Sequence, residues 1–358
     1  MLQERIEGKW VKAFADVFRL CAVKPGEVVA ILSETQTRPI LPQLAELALH
    51  QLEARPFHVT VCSPEVSSSV PIRSTGTSLA VGGLEPVVIA LASSGMVVDC
   101  TVEGMLHSRE LPKILAGGTR LMMISNEHPE VLERTKPTLE LRTRVLRGMK
   151  MLSKAARMRV TSEAGSDLDI KVEGSPARGA PGFVDRPGGI GYWPAGLCLC
   201  FPKPGSVNGR LVLAPGDVNL TFKRYVESPV HFTIEDDYVT RIEGDGLDAE
   251  LTRSYYEAWD DREAYATSHV GWGMNPIARW DAMTMYDRTQ INGTELRAFA
   301  GNFLYSTGAN ETAGRFTACH FDFPMRNCTV ELDGKTIVDH GRLCDELRSV
   351  PEDGSGAR

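Results

Sequence analysis

Cys319-His320-Phe321-Asp322-Phe323 is the stretch from which the rest of this chain can be read. Along an extended segment, side chains alternate with period 2. His320 and Asp322 then point one way, and Cys319, Phe321 and Phe323 the other. One face is suited to a core, and the other offers an imidazole and a carboxylate to a single ion. The best upstream candidate for a third ligand is His269, in Ser268-His269-Val270-Gly271-Trp272-Gly273-Met274-Asn275-Pro276. Glycines there allow close backbone approach, and Asn-Pro enforces a turn.

Two imidazoles and one carboxylate leave coordination positions open. This is the facial triad of non-haem Fe(II) oxygenases, and zinc hydrolases draw on the same residue types. The residue types alone do not separate the two chemistries. His50, His58, His128, His231 and His340 read as structural or surface residues from their helix, strand and turn settings. The carboxylate pairs Asp236-Asp237 and Asp260-Asp261 read as solvated turn residues. No GxSxG elbow and no HExxH motif is present.

Working outward, the N-terminal part alternates short apolar runs with amphipathic helices. A helix is expected within residues 3–22, with Ile6, Trp10, Phe14, Val17 and Leu20 at helical spacing. Val28-Val29-Ala30-Ile31-Leu32 reads as a buried parallel strand, followed by a helix near 40–54 and a strand at 58–62. Val87–Ala92, Met96–Cys100 and Leu121–Ser125 are expected as further strands or strand edges, and one long helix near 130–155. This pattern predicts an α/β domain with a parallel sheet at 1–155. It carries neither GxGxxG nor GxxxxGK[ST], so nucleotide binding has little support.

From about 157 the pattern changes to alternating segments, Gly/Pro-rich loops and an Asp333-Gly334 hairpin turn. The fold class is therefore α/β plus α+β. A mostly antiparallel β domain with helices at 156–348 carries the metal site, and a polar tail spans 349–358. The 358 residues exceed one ordinary core. Net charge is −7 with a pI of about 5.7, which argues against nucleic acid or anionic membrane as partner. Neither a signal peptide nor an apolar stretch of membrane-spanning length is visible. The eight cysteines form no CxxC pair and read as free thiols in a reducing compartment. A cytoplasmic homo-oligomer is expected.

Residues 266–344 resemble the signature region of aminopeptidase T-type metallopeptidases. The shared frame runs through Gly271-Trp272-Gly273-Met274-Asn275-Pro276, Gly301 to Gly308, His320-Phe321-Asp322-Phe323 and Asp333-Gly334-Lys335, with Pro194-Ala195-Gly196-Leu197 upstream. Those peptidases hold two metals with two Glu, two His and one Asp. Here the corresponding positions read Leu197, His269, Leu304, His320 and Asp322. Leucine binds no metal, so the pattern is reduced to one ion. In this respect the chain resembles the 2,5-dihydroxypyridine 5,6-dioxygenases of nicotinate and picolinate catabolism, which share the scaffold and bind one Fe(II).

The resemblance implies Fe(II) at His269, His320 and Asp322. It also implies O2-dependent cleavage of a small aromatic N-heterocycle, 2,5-dihydroxypyridine, to N-formylmaleamate, and a catalytic acid/base at His107 in Met105-Leu106-His107-Ser108. Where the family's Gly/Pro loop carries histidines, this chain has Tyr192 and Trp193. These two are expected to wall the pocket, and Ser306 to hydrogen-bond a ring substituent. The competing readings are a zinc or cobalt peptidase on the same scaffold and a non-catalytic binding or assembly protein.

Overall fold

The computed structural model of the protein describes residues 5–65, 78–124 and 126–349. Two layers of different construction meet at one cavity. The first is a five-stranded parallel sheet, ordered Arg55–Val61, Val28–Glu34, Met96–Asp99, Arg120–Met123 and Ile190–Tyr192. Helices cover both of its faces, which is why Val28–Leu32 is apolar throughout. Val29 and Ile31 pack with helices Gly8–Leu20 and Ile40–Gln51. Ala30 and Leu32 pack with helices Glu85–Ala92 and Leu111–Leu115. Among the described residues, no helix is long and apolar enough to cross a membrane.

Among the described residues, the second part contains two large antiparallel sheets beside a short two-stranded pairing of Val218–Asn219 with Arg224–Tyr225. One large sheet has eight strands, from Tyr238–Glu243 at one edge to Arg342–Leu343 at the other. The other has five, ordered Arg315–Met325, Phe303–Asn310, Thr267–Gly273, Leu197–Cys200 and Ala177–Ala180. One face of this five-stranded sheet packs into a shared core through Cys198, Val270, Trp272, Phe303, Tyr305, Phe321 and Phe323. The alternation expected from Cys319-His320-Phe321-Asp322-Phe323 is thus realised, with the aromatic face inward.

Four expectations change. Val87–Ala92 lies in a helix, Glu85–Ala92, instead of a strand. Short apolar runs do not distinguish the two; here Pro86 presets the first turn, and Val88 and Leu91 are buried at helical spacing while Ile89 is 61% exposed. The single helix near 130–155 is two, Pro129–Arg134 and Leu139–Leu152. Pro137 lies between them, and Thr138 caps the second by accepting from the Leu141 amide. Residues 190–192, beyond the division expected at 155/156, supply the edge strand of the first sheet, so the chain returns once to its N-terminal layer. Most of the polar tail, 350–358, lies outside the described residues.

The fourth change concerns Asp236-Asp237. Asp236 is exposed, but Asp237 is fully buried. Its carboxylate accepts from the amides of Gly205, Ser206 and Val207 at 2.8 Å each and pairs with Arg315 at 2.6 Å. It is a packed junction between the two antiparallel sheets. All eight cysteines are free, and six of them are buried.

Candidate metal centre and its cavity

The face of the five-stranded sheet turned away from the core carries the metal candidates. Thr267–Gly273 places His269 there; the neighbouring strand places Ser306, paired in register with Asp322. Gly308, paired with His320, has φ +107, and a Cβ there would run into the Cys319 carbonyl. The bare backbone lets the two strands close at the ligand position.

His269, His320 and Asp322 are buried and present ligand atoms within 4.8 Å of one another. The Nε2 atoms of His269 and His320 are 3.3 Å apart. The Asp322 Oδ1 lies 3.4 Å from His320 Nε2 and 3.7 Å from His269 Nε2. A triangle of that size lets three donors share one ion at bonds of about 2.0–2.2 Å.

The charge state of the set matches its geometry. Burial drives the His269 imidazole down to about 3, and it lowers His320 as well. Burial alone would raise the Asp322 carboxyl, but the Arg297 guanidinium, with His320 and His269, holds it well below the ordinary carboxylate range. The site therefore offers two neutral imidazoles and one carboxylate, the protonation that metal binding requires.

Neighbouring groups hold the ligands in place. The Ser306 hydroxyl donates to Asp322 Oδ1 and contacts His269 Nδ1 at 3.2 Å. With Ser306 Oγ accepting from Nδ1–H, the proton stays on Nδ1 and the Nε2 lone pair faces the other ligands. Ser306 thus sits behind the ligands, fully buried, and not against a ring substituent as expected. Arg297, from the helix Thr294–Ala298, donates from Nε to Asp322 Oδ2 at 2.5 Å.

The cavity in front of the ligands measures about 540 Å³ and is closed by both parts of the chain. His107 enters from the first. Its loop follows the strand Met96–Asp99, at the carboxyl end of the sheet where α/β folds bind ligands. The loop is pinned by the buried Asp99, which accepts from the Thr101 amide at 3.0 Å and the Met105 amide at 2.8 Å. The His107 ring lies 4.8 Å from that of His320, and its Nδ1 contacts Glu311 Oε1 at 3.0 Å. Glu311 opens the short helical turn linking the Ser306 strand to the His320 strand. The His107 contact helps hold it below its ordinary value against the opposing effect of burial.

Tyr192 lines the cavity with Leu197, Leu199, Phe201 and Leu304, and burial raises its hydroxyl. Trp193 does not line it. Its side chain turns into the N-terminal core, 5.2 Å from the Phe14 ring, and its Nε1 donates to the Thr135 carbonyl at 3.2 Å. Neighbours on a strand face opposite ways, so Tyr192 and Trp193 could not both wall one pocket. Sequence reasoning missed Arg297 and Glu311. Each acts on a residue distant in the chain, and neither carries a local motif.

A family model described as "NicX: 2,5-dihydroxypyridine 5,6-dioxygenase" matches residues 9–345. A 2,5-dihydroxypyridine 5,6-dioxygenase from Pseudomonas putida KT2440 is 37% identical over 330 residues, 91% of this chain and 93% of that protein. A solved structure of the 2,5-dihydroxypyridine dioxygenase from Pseudomonas putida KT2440 superposes with a TM-score of 0.88 at 35% identity, covering 94% of this chain and 97% of that one. Wild-type AmpT from Thermus thermophilus shares the fold, with a TM-score of 0.62 at 12% identity over 94% of this chain and 98% of its own. With a match over nearly its whole length and a buried His-His-Asp set at the base of its cavity, the chain belongs to the 2,5-dihydroxypyridine 5,6-dioxygenase family.

Proposed function

We propose that the protein is a cytoplasmic Fe(II)-dependent dioxygenase that opens the ring of 2,5-dihydroxypyridine with O2 to give N-formylmaleamate. The observation that carries this reading is the convergence of His269, His320 and Asp322, two neutral imidazoles and one carboxylate, at the base of a cavity. Three protein ligands leave positions for both a substrate oxygen and O2, and this donor set fits non-haem iron. When bound, iron supplies the redox chemistry by which an electron-rich ring and O2 react.

The chain's own residues account for positioning and proton movement. Asp322 is kept anionic by Arg297 and oriented by Ser306. Tyr192, Leu197, Leu199 and Leu304 form walls that suit a flat ring. His107 stands beside His320 with Nδ1 donating to Glu311, so that in the neutral ring Nε2 is the acceptor. Its Nε2 is buried and makes no hydrogen bond to the described residues. In this reading it takes the proton from a ring hydroxyl and returns it as the ring opens, the work of a general acid and base.

A two-metal peptidase would need ligands at Leu197 and Leu304, and both are apolar walls here. The experiment is anaerobic purification and Fe(II) loading, followed by O2 uptake and the absorbance of 2,5-dihydroxypyridine. Iron-dependent consumption of both supports the proposal. Absence of O2 uptake with iron bound contradicts it.

A further inference from the structure

The cavity extends beyond the metal face, and its lining carries two arginines besides the one beside Asp322. At about 540 Å³ it lies within the 300–1,000 Å³ or so that holds drug-sized ligands. A bare dihydroxypyridine leaves much of it empty. Besides Arg297, which is committed to Asp322, the lining includes Arg178 and Arg186. Neither enters an ion pair among the described residues, and the Arg178 guanidinium has only a 3.4 Å contact to the Ala177 carbonyl of its own strand. The acidic groups of the lining are already engaged. Glu311 holds His107, Asp322 is held by Arg297, and Glu103 has a partner.

Sheet register fixes where Arg178 stands. It pairs with Leu199, and Leu199 pairs with Gly271, two residues from His269 on the same strand. Arg178, Leu199, Gly271 and His269 therefore share one face. Two strand spacings and two residues separate Arg178 from His269, about 12 Å between Cα atoms. An arginine side chain and one six-membered ring together span that gap. Arg186 lies on the segment between Ala177–Ala180 and Ile190–Tyr192, beside Gly188 and Gly189, which also line the cavity. Leu199, paired with Arg178 on one side and Gly271 on the other, stands between that cation and His269, a low-dielectric wall that strengthens the field reaching a bound anion.

We propose that the cavity recognises a hydroxylated pyridine ring bearing a carboxylate, the ring hydroxyl facing His269, His320 and Asp322 and the carboxylate held by Arg178 and Arg186. Planar guanidinium groups match carboxylates in geometry and charge. The assignment rests on the ring-cleavage reading above and makes a carboxylated relative of 2,5-dihydroxypyridine the preferred ring.

Two measurements on the Fe(II)-loaded enzyme test it. The first compares kcat/KM for 2,5-dihydroxypyridine and for a dihydroxypyridine with one added ring carboxylate. The proposal expects the carboxylated ring to be preferred by about tenfold or more, since a charge-assisted contact of about 1.4 kcal/mol is worth a factor of 10. Arg178→Gln should remove most of that preference, and Arg178→Lys should keep part of it. An equal or lower kcat/KM for the carboxylated ring overturns the subsite, as does a preference unchanged in the Arg178→Gln, Arg186→Gln double variant. An equal fall for both rings that vanishes at high salt marks general steering and also overturns it.

The second is an anaerobic binding titration with 6-hydroxypyridine-3-carboxylate against 2-hydroxypyridine, which needs no turnover. Tighter binding of the carboxylate that depends on Arg178 supports the subsite even if neither dihydroxypyridine is cleaved. Lack of cleavage would then count against the proposed function alone. Equal binding of the two overturns the subsite.

Discussion

Ser306 does by itself what many metal sites divide between two groups. Its one hydroxyl donates to the candidate ligand carboxylate of Asp322 and faces the far nitrogen of the candidate ligand imidazole of His269. Groups behind metal ligands typically contribute about 10- to 100-fold in metal affinity, so Ser306→Ala should raise the Fe(II) Kd by about that factor while all three ligands remain. A competitive chelator titration measures it. A Kd unchanged within twofold would mean that Ser306 does not set the His269 tautomer.

His269 also makes stability depend on pH. Its ordinary value is 6.5, and burial brings it to about 3 in the folded chain. As pH falls below 6.5, the unfolded chain takes up a proton that the folded chain refuses until about pH 3. Stability of the metal-free protein is therefore full above 6.5 and declines towards pH 3. The slope is at most about 1.4 kcal/mol per pH unit for this residue. Asp322, held below its ordinary 3.8, has its window below that value and leaves the higher range untouched. Urea unfolding of the metal-free protein at pH 7 and pH 5 should show the loss, and His269→Gln should reduce it, leaving the part that His320, lowered in the same direction, contributes. At this scale the clustering of the three candidate ligands was legible in the sequence, because His320-Phe321-Asp322 has a fixed alternation and His269 sits in a glycine-rich frame. Arg297 and Glu311 were not, because a single charged residue gains meaning only from what the fold sets beside it.

At the scale of elements, alternation explains both the successes and the errors. Period 2 correctly assigned Phe321 and Phe323 to the core, and the same rule separates Tyr192 from Trp193. Apolar runs without a period were ambiguous, and the helix Glu85–Ala92 shows the consequence. Asp237 illustrates a different difficulty. A carboxylate next to another in a turn resembles a surface residue until three amides and Arg315 are found around it. Removing one partner of a buried ion pair costs about 3–5 kcal/mol, so Asp237→Ala should destabilise the fold by about that amount in a denaturant titration. A loss under about 1 kcal/mol would return Asp237 to the status of an ordinary turn residue.

Across the whole molecule, the site belongs to neither layer alone. His107 and Tyr192 come from the parallel-sheet layer, and the ligands from the antiparallel sheet. Two contacts lock the layers together next to the cavity. The buried Glu127 accepts from the amides of Gly293 and Thr294 at 3.0 and 2.8 Å, and Arg134 forms a two-pronged pair with the nearly buried Glu295. Both fix the segment that carries Arg297. Arg134→Ala leaves the buried Glu295 with the Arg279 amide but no counter-charge, and should cost about 3 kcal/mol and raise amide exchange over residues 293–298. Unchanged exchange there would separate the interlayer contact from the site. This junction could not be read in the sequence, since its members lie more than 150 residues apart.

In the proposed function, one Fe(II) held by His269, His320 and Asp322 supports ring cleavage. The most direct test titrates Fe(II) into metal-free protein under anaerobic conditions and reads O2-dependent loss of 2,5-dihydroxypyridine at each point, in the wild type and in His269→Ala. Activity should rise linearly to one Fe(II) per chain and be absent from the variant at every point. Activity without iron, saturation only at two metals per chain, or undiminished turnover in His269→Ala would contradict it.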